Sequence, residues 1–182
     1  MAAATTVSGQ LQTNFTFTET LSSGYINPLS LPASISGALT YQNASSGSNA
    51  IDLLVATQLT LSASATTLDL TSVSDLGGTA RTFARVREFV VQNIGSASVK
   101  VYANSTSGVP WLPSGSTSAL VAYAATSTSG STAGGKVYLS DPWTTGGSTG
   151  QYILTGSSKV VFDPGTGSTS VNVIIAGTST AS

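Results

Sequence analysis

Residues 81–93 read RTFARVREFVVQN and form the strongest single element of the sequence. Alternation at period two predicts a β-strand with two distinct faces: Phe83, Arg85, Arg87, Phe89 and Val91 on one, and Ala84, Val86, Glu88 and Val90 on the other. A helix is the alternative, since three apolar residues of the segment also fall at helical spacing. We favour a strand, because residues 93–96 (Asn-Ile-Gly-Ser) make a turn into the alternating segment 98–102. The two segments together predict a β-hairpin.

Further strands are predicted on both sides of this hairpin. Alternation marks the segments 14–20, 58–62 and 67–70, and apolar runs between turn clusters mark 119–123, 136–140, 151–154, 159–162 and 170–176. Turns are predicted where Gly, Pro, Asp and Ser cluster, as at 114–116, 145–148 and 163–167. Short strands at regular spacing predict an all-β fold, an antiparallel β-sandwich of jelly-roll-like form with an extended N-terminal arm.

The chain divides into two parts on its sequence pattern. Residues 1–50 are predicted to hold one strand and an extended arm, because residues 22–50 contain two prolines, scattered apolar residues and little periodicity. Residues 51–182 are predicted to form the β-sandwich domain. Long loops are predicted at 105–118 and 126–135. An arm of this kind inside a compact chain suggests contact with a neighbouring subunit.

Charged residues are scarce. They make up 7% of the 182 residues, six Lys plus Arg against seven Asp plus Glu, whereas about 25% is usual in globular domains. A dispersed soluble domain normally carries interspersed charges and a net charge away from zero. Ser, Thr, Gly and Asn supply the polarity here instead. Such a neutral surface favours broad contact with other subunits; a secreted β-domain with a Ser/Thr-rich coat is the alternative.

The sequence contains no Cys and no His. It therefore lacks the side chains of disulfides, of thiolate chemistry and of the commonest general base and metal ligand. The seven carboxylates show no spacing that suggests a catalytic pair. We expect a protein that is not an enzyme and has no cofactor. The N-terminus has no signal-peptide pattern, and no apolar run is long enough to cross a membrane.

Two groups of residues are candidates for binding. Arg81, Arg85 and Arg87 form the one basic cluster, but nucleic-acid binding needs a broad positive footprint. Pairing with Glu88 or Asp75, or burial at a subunit interface, explains the cluster better. The aromatic residues suit either a sugar-binding face or ordinary packing; they are Trp111, Trp143, Tyr123, Tyr138 and Tyr152. Trp111 lies between two prolines and is predicted to be the most exposed of them.

Three motifs give a resemblance to a known group of proteins. Leu-Asp-Leu stands at 68–70, Phe-Ala-Arg-Val-Arg at 83–87 and Val-Ile-Ile-Ala-Gly-Thr at 173–178. In this layout residues 50–178 resemble a widespread group of small virion proteins of tailed bacteriophages, with Arg87 where that group carries Lys. The resemblance implies a capsid-associated or other particle-surface role.

These observations together predict a non-enzymatic virion structural protein. The leading hypothesis is a capsid decoration or cement protein, made in the host cytoplasm, that stabilises the phage head through intersubunit β-surface and arm contacts. The alternatives are a tail, baseplate or fibre component, a capsid lattice protein, or a glycan-binding adhesion domain. The expected partners are copies of itself, as a trimer, and the major capsid protein or another virion protein, without a membrane or a nucleic acid. The candidate interface residues are Phe15, Phe17, Arg85, Arg87, Trp111 and Trp143.

Overall fold

The computed structural model describes residues 9–21, 29–45, 50–74, 78–124, 134–140, 154 and 158–180. Within these ranges the chain contains thirteen strands and no helix, hence no helix suited to spanning a membrane. The strands are β1 (Gly9–Leu21), β2 (Leu29–Asn43), β3 (Ala50–Ile51), β4 (Leu53–Leu61), β5 (Thr66–Asp69), β6 (Val73–Ser74), β7 (Ala80–Arg81), β8 (Arg85–Asn93), β9 (Val99–Ala103), β10 (Leu120–Ala122), β11 (Lys136–Ser140), β12 (Lys159–Asp163) and β13 (Thr169–Thr178).

Eight of these strands form two four-stranded antiparallel sheets. Sheet I has the order β11–β8–β13–β4, and sheet II has the order β10–β9–β12–β5. The chain crosses repeatedly between the sheets. The sheet I strands β4, β8 and β11 are followed by β5, β9 and β12, respectively, which all belong to sheet II. This is the jelly-roll-like path of a sandwich, and the prediction of an all-β antiparallel fold is confirmed.

The core lies between the two sheets. Phe89 of sheet I and Phe162 of sheet II are both fully buried, and their ring centroids are 6.5 Å apart. Alternate residues of the strands supply the rest, for example Val171, Val173 and Ile175 along β13. Burial of this apolar area is the main stabilising contribution, at about 25 cal/mol per Å² removed from water.

The predicted hairpin between residues 81–93 and 98–102 is wrong. Both segments are strands, but β8 belongs to sheet I and β9 to sheet II, so the turn between them crosses from one sheet to the other. Asn93 holds this turn: its Nδ2 donates to the carbonyl oxygens of Ala97 and Ala122, and its Oδ1 accepts from the Gly95 amide and the Thr169 hydroxyl. Alternation in the sequence fixes the faces of a strand but does not choose its neighbour.

The predicted faces of residues 83–91 also need correction. Val86 joins Phe89 in the core, although strict alternation places these residues on opposite faces. The cause is a β-bulge: Ala176 pairs with Glu88 but Gly177 pairs with Val86, which leaves Arg87 as an additional residue on β8. A bulge of this kind shifts the phase of the alternation.

The N-terminal region contains a long hairpin. β1 confirms the strand predicted at 14–20, and it pairs with β2 from Gly9↔Tyr41 to Leu21↔Leu29. Most of the segment predicted as an arm or long loop is therefore the strand β2, which also makes a two-residue parallel pairing with β3. Pro32 sits within β2, as proline does on strands with an unpaired edge.

Most other predicted strands are confirmed, in particular those at 58–62, 67–70, 136–140, 159–162 and 170–176. The predicted turn at 163–167 is confirmed: the Gly165 amide donates to Oδ1 of Asp163 at 2.8 Å, and Gly165 has a φ of 65°. Of the strand predicted at 151–154, Leu154 is buried and its amide donates to the Ala84 carbonyl, whereas 151–153 lie outside the described residues, as do the turn at 145–148 and most of the loop at 126–135.

Candidate assembly surface

The outward face of sheet I carries a row of apolar residues. Along each strand the inward residues are buried or partly buried, and the residues between them face outward. Register then aligns one outward residue from each strand, in the order Tyr138, Val90, Ile174 and Ala56. Ile174 is 42% exposed and Tyr138 is 39% exposed. Leu54, two residues along β4, is 50% exposed and widens the row into an apolar patch.

A row of amide side chains lies next to the apolar row. Gln92, Asn172 and Gln58 are paired across β8, β13 and β4. The Nε2 of Gln58 donates to Oδ1 of Asn172 at 3.1 Å. A shallow depression of about 310 Å³ lies over the two rows, bordered by these amides, Ala56 and Ile174. The amides offer hydrogen-bond donors and acceptors without charge, so contacts made here are insensitive to salt.

The carboxylate on this face is covered. Glu88 is 6% exposed, and it accepts hydrogen bonds from the Tyr138 hydroxyl at 2.7 Å and the Ser140 hydroxyl at 2.8 Å. Within the described part of sheet I, Lys136 at the edge strand is the other charged residue of the face. We call this outward face, formed by the apolar row, the amide row and Leu54, the neutral face.

The outward face of sheet II is different. Lys100 of β9 is paired in register with Asp163 of β12, and Lys159 of β12 with Asp69 of β5. Opposite charges at directly paired positions stabilise neighbouring strands. Lys100 is exposed, and the other three residues are partly exposed. The outward face of sheet II therefore carries four described charged residues, whereas that of sheet I carries the covered Glu88 and the edge residue Lys136. This asymmetry marks the neutral face as the better candidate for contact with another protein.

The candidate interface residues that the structure describes belong to different elements of the chain. Phe15 and Phe17 lie in β1, paired with Ile35 and Ala33 of β2. Trp143 lies outside the described residues. Their role at an interface stays a prediction.

The predicted exposure of Trp111 is wrong. Its ring is partly buried against the core and meets the Phe89 ring edge to face, with centroids 5.3 Å apart. Among the aromatic side chains of residues 50–140 whose exposure the structure describes, Tyr123 is the most exposed, at 69%. Tyr123 follows β10, and its carbonyl oxygen accepts from the Gly135 amide next to β11, the strand that contains Tyr138.

Arg85 and Arg87 are both fully buried. They lie at the start of β8, beside the bulge, and are among the largest side chains that the fold excludes from water. Since a single chain already buries them, contact with another subunit is not needed to explain their burial. We therefore leave them out of the neutral face, and their contact with a partner stays a prediction.

Three further described carboxylates, those of Asp52, Asp69 and Asp163, make hydrogen bonds within the chain. Asp69 accepts from the amide and hydroxyl of Thr71, at 3.0 and 2.7 Å, and Asp52 accepts from the amide and hydroxyl of Ser179. Asp163 holds the turn described above. Among the described residues no three acidic side chains gather into a group that could hold a metal ion. Asp75 and Asp141 lie outside the described residues.

Sequence reasoning missed the neutral face. Ile174 was assigned to a strand as one of several apolar residues, without a face. The signal was present in β13, where Ser170, Asn172 and Ile174 share one parity and the buried residues Val171, Val173 and Ile175 share the other. That Gln58 and Gln92 lie beside Asn172 on the same face follows only from the pairing register of the strands, which a local sequence pattern does not reveal.

The chain matches no protein-family model, and neither the curated proteins nor the solved structures include a significant match to it.

Proposed function

We propose that this protein is a non-enzymatic virion structural protein, a decoration or cement protein of a tailed-phage head, which binds the capsid through its neutral face. The observation that carries the proposal is the asymmetry of the sandwich. Sheet II presents register-paired charges outward. Sheet I presents an apolar row and an amide row, with one covered carboxylate and with Lys136 on the edge strand as its exposed charge. A face of this composition gains most when another protein covers it.

The contact would combine two physical terms. Ile174, Leu54 and Tyr138 contribute about 25 cal/mol per Å² of apolar area that the capsid removes from water, before the costs of association. The amide row then fixes register, because its donors and acceptors must be matched by the partner. Each contact is modest, but many copies on a symmetric shell, linked to one another, gain in overall affinity through avidity.

The scarcity of charge across the whole chain supports the same proposal. With a net charge of −1, the protein gains little from electrostatic steering or repulsion. Contacts with neighbouring subunits would be tolerant of ionic strength. The resemblance of residues 50–178 to small phage virion proteins suggests the particle as the place where this occurs.

The first experiment locates the chain in particles of the phage that encodes it. Imaging of purified particles, with copy number from quantitative mass spectrometry, should place the protein on the head at positions that follow the icosahedral lattice. A copy number in small multiples of three or six at the tail would replace the proposal by a tail or fibre component. Absence from particles, together with specific binding on a glycan array, would replace it by an adhesion domain.

The second experiment tests the face. Heads that lack the protein are incubated with purified chain carrying Ile174→Lys, at the centre of the apolar row, or Val121→Lys on β10 of sheet II. The two residues are similarly exposed, at 42% and 38%, and the substitutions add the same charge. Ile174→Lys should weaken head binding at least about tenfold, because it buries an unpaired charge, while Val121→Lys should bind like the parent chain. Equal binding of both variants would exclude the neutral face.

A further inference from the structure

The hairpin of β1 and β2 has an unusually regular register. Thirteen residues of β1 are paired with thirteen of β2 from Gly9↔Tyr41 to Leu21↔Leu29, without a shift in register. Directly paired residues of antiparallel strands share a face of the ribbon, and successive residues alternate between faces. The sequence therefore determines the composition of each face.

The two faces are sharply different. One face holds the odd-numbered positions of both strands and is here called the apolar ribbon face: Gly9, Leu11, Thr13, Phe15, Phe17, Glu19, Leu21, Leu29, Leu31, Ala33, Ile35, Gly37, Leu39 and Tyr41. The other face holds the even-numbered positions, which apart from Pro32 and Ala38 are all Gln, Asn, Ser or Thr. Phe15 and Phe17, two of the candidate interface residues, fall on the apolar ribbon face.

A ribbon of this kind requires cover on its apolar side. An isolated two-stranded hairpin is at best marginally stable in water, and it becomes stable when a third strand or a packed layer covers an apolar face. Among the described strands, the only pairing that the ribbon makes outside itself is the two-residue pairing of β2 with β3. Pairing at an edge does not cover a face.

Three properties of the ribbon favour a second copy of the same chain as the cover. The 28 residues of the two strands contain a single charged residue, Glu19, so two such faces meet without the repulsion of a large like-charged surface. Sheets of equal length and apolar content stack face to face about 10 Å apart, as in sandwiches. The opposite face of the ribbon, with its Gln, Asn, Ser and Thr residues, stays in contact with water in the assembly.

The apolar ribbon face is large enough to form a specific protein interface. At about 3.4 Å per residue and about 4.8 Å between strands, the ribbon is roughly 44 Å long and about 10 Å wide. Two stacked faces then cover on the order of 900 Å² in projection, and more in accessible area because side chains are corrugated. This reaches the roughly 1,000 Å² that a specific interface requires.

We propose that the apolar ribbon faces of different copies of this chain pack against one another and form the self-association contact of the protein. In a dimer two faces stack, and in a trimer three faces close around the three-fold axis. The inference deepens the proposed function, since it assigns subunit contacts to the N-terminal hairpin and leaves the neutral face of sheet I for the capsid.

Neighbouring residues on opposite ribbon faces provide a matched pair of variants. Phe15→Glu places a carboxylate on the apolar ribbon face, and Thr16→Glu places the same charge one residue away on the polar face. Sedimentation velocity on the full chain should show an oligomer for the parent chain and for Thr16→Glu. Phe15→Glu should raise the dissociation constant at least about thirtyfold, the size of loss typical of an aromatic hot spot. Equal behaviour of the two variants, or a monomeric parent chain at every concentration, overturns the inference.

A second measurement needs no variant. Amide hydrogen exchange in β1 and β2 of the parent chain should slow as protein concentration rises, because association covers the ribbon, while exchange in β8 and β13 should not depend on concentration. Concentration-independent exchange in β1 and β2 counts against the inference. Ile174→Lys should self-associate like the parent chain. Undiminished head binding by Ile174→Lys would contradict the proposed function alone, and undiminished self-association of Phe15→Glu would contradict the ribbon inference alone.

Discussion

The Thr169 hydroxyl donates to Oδ1 of Asn93 at 3.0 Å, and both residues are buried. This bond joins the end of β8 to the start of β13, at the point where the chain leaves sheet I for sheet II. The same Oδ1 accepts from the Gly95 amide, and Nδ2 donates to two carbonyl oxygens. Asn93 therefore uses both its donors and its acceptor within the chain.

Asn93→Ala should lower the free energy of unfolding by about 2–4 kcal/mol, because it leaves the buried Thr169 hydroxyl and the Ala122 carbonyl without their partner. Urea unfolding followed by fluorescence measures the change. Asn104→Ala is the matched control: Asn104 accepts from the amides of Thr106 and Ser107 in a more exposed turn, and its loss should cost about 1 kcal/mol or less. Equal losses in the two variants would contradict the role given to Asn93.

The turn at Asn93 also shows what the sequence predicts and what it does not. Alternation and turn residues located most strands of the two four-stranded sheets, because both depend on local side-chain chemistry. They missed β2, whose sequence was predicted to be an arm or long loop. They did not predict the neighbours of β8, which pairs with β13 and β11 rather than with β9. Pairing between distant strands depends on packing across the whole core, for which a local pattern contains no signal.

A second prediction concerns the close approach of β8 and β13 at the bulge. A Cβ at Gly177 would lie 2.0 Å from the carbonyl oxygen of Arg85 and 2.9 Å from the Phe83 ring. Gly177→Ala should therefore force the two strands apart and destabilise the protein by about 3 kcal/mol or more, at the upper end of overpacking effects. Calorimetry measures the change.

Gly78→Ala is the control for that experiment. Gly78 has a φ of 77°, and a Cβ there would meet nothing within 4 Å. Its substitution should cost about 1 kcal/mol from backbone strain alone. A milder effect at Gly177 than at Gly78 would show that the strands of sheet I can separate at the bulge without loss.

A third prediction separates the packing role of Trp111 from an interface role. Its ring lies edge to face with Phe89 and against the core, so Trp111→Ala should cost about 3–5 kcal/mol of stability, as for other large-to-small changes in a core. Tyr123→Ala, at a ring that is 69% exposed, should stay within about 0.5 kcal/mol of the parent chain. Weakened head binding by a fully stable Trp111→Ala variant would instead support the sequence-based prediction of an interface anchor.

The neutral face was beyond sequence analysis for a related reason. The scarcity of charge predicted that some surface makes neutral contacts, but not which one. Locating it required the pairing of Ile174 with Val90 and Ala56, and of Asn172 with Gln92 and Gln58. It also required the observation that Lys100 and Asp163 lie together on the other sheet. Composition describes the chain as a whole, whereas a surface is defined by register.

The last prediction concerns stability in alkaline solution. Burial raises the pKa of Tyr102 above its usual 10.0, and the negative charge of Asp163 raises it further. The unfolded chain then loses the phenol proton at a lower pH than the folded chain. Below pH 10.0 this group gives the free energy of unfolding no dependence on pH. As the pH rises through and above that value, the free energy of unfolding falls.

Tyr102→Phe removes this group, so its stability should decline less than that of the parent chain when the pH is raised above 10.0. Urea unfolding at neutral and at alkaline pH measures the difference. Asp163→Asn is the companion variant, since its Oδ1 still accepts from the Gly165 amide while the charge is lost. The difference in phenolate absorbance should then show Tyr102 titrating at a lower pH than in the parent chain. An alkaline loss of stability that is the same with and without the Tyr102 hydroxyl would show that Tyr102 does not contribute to it.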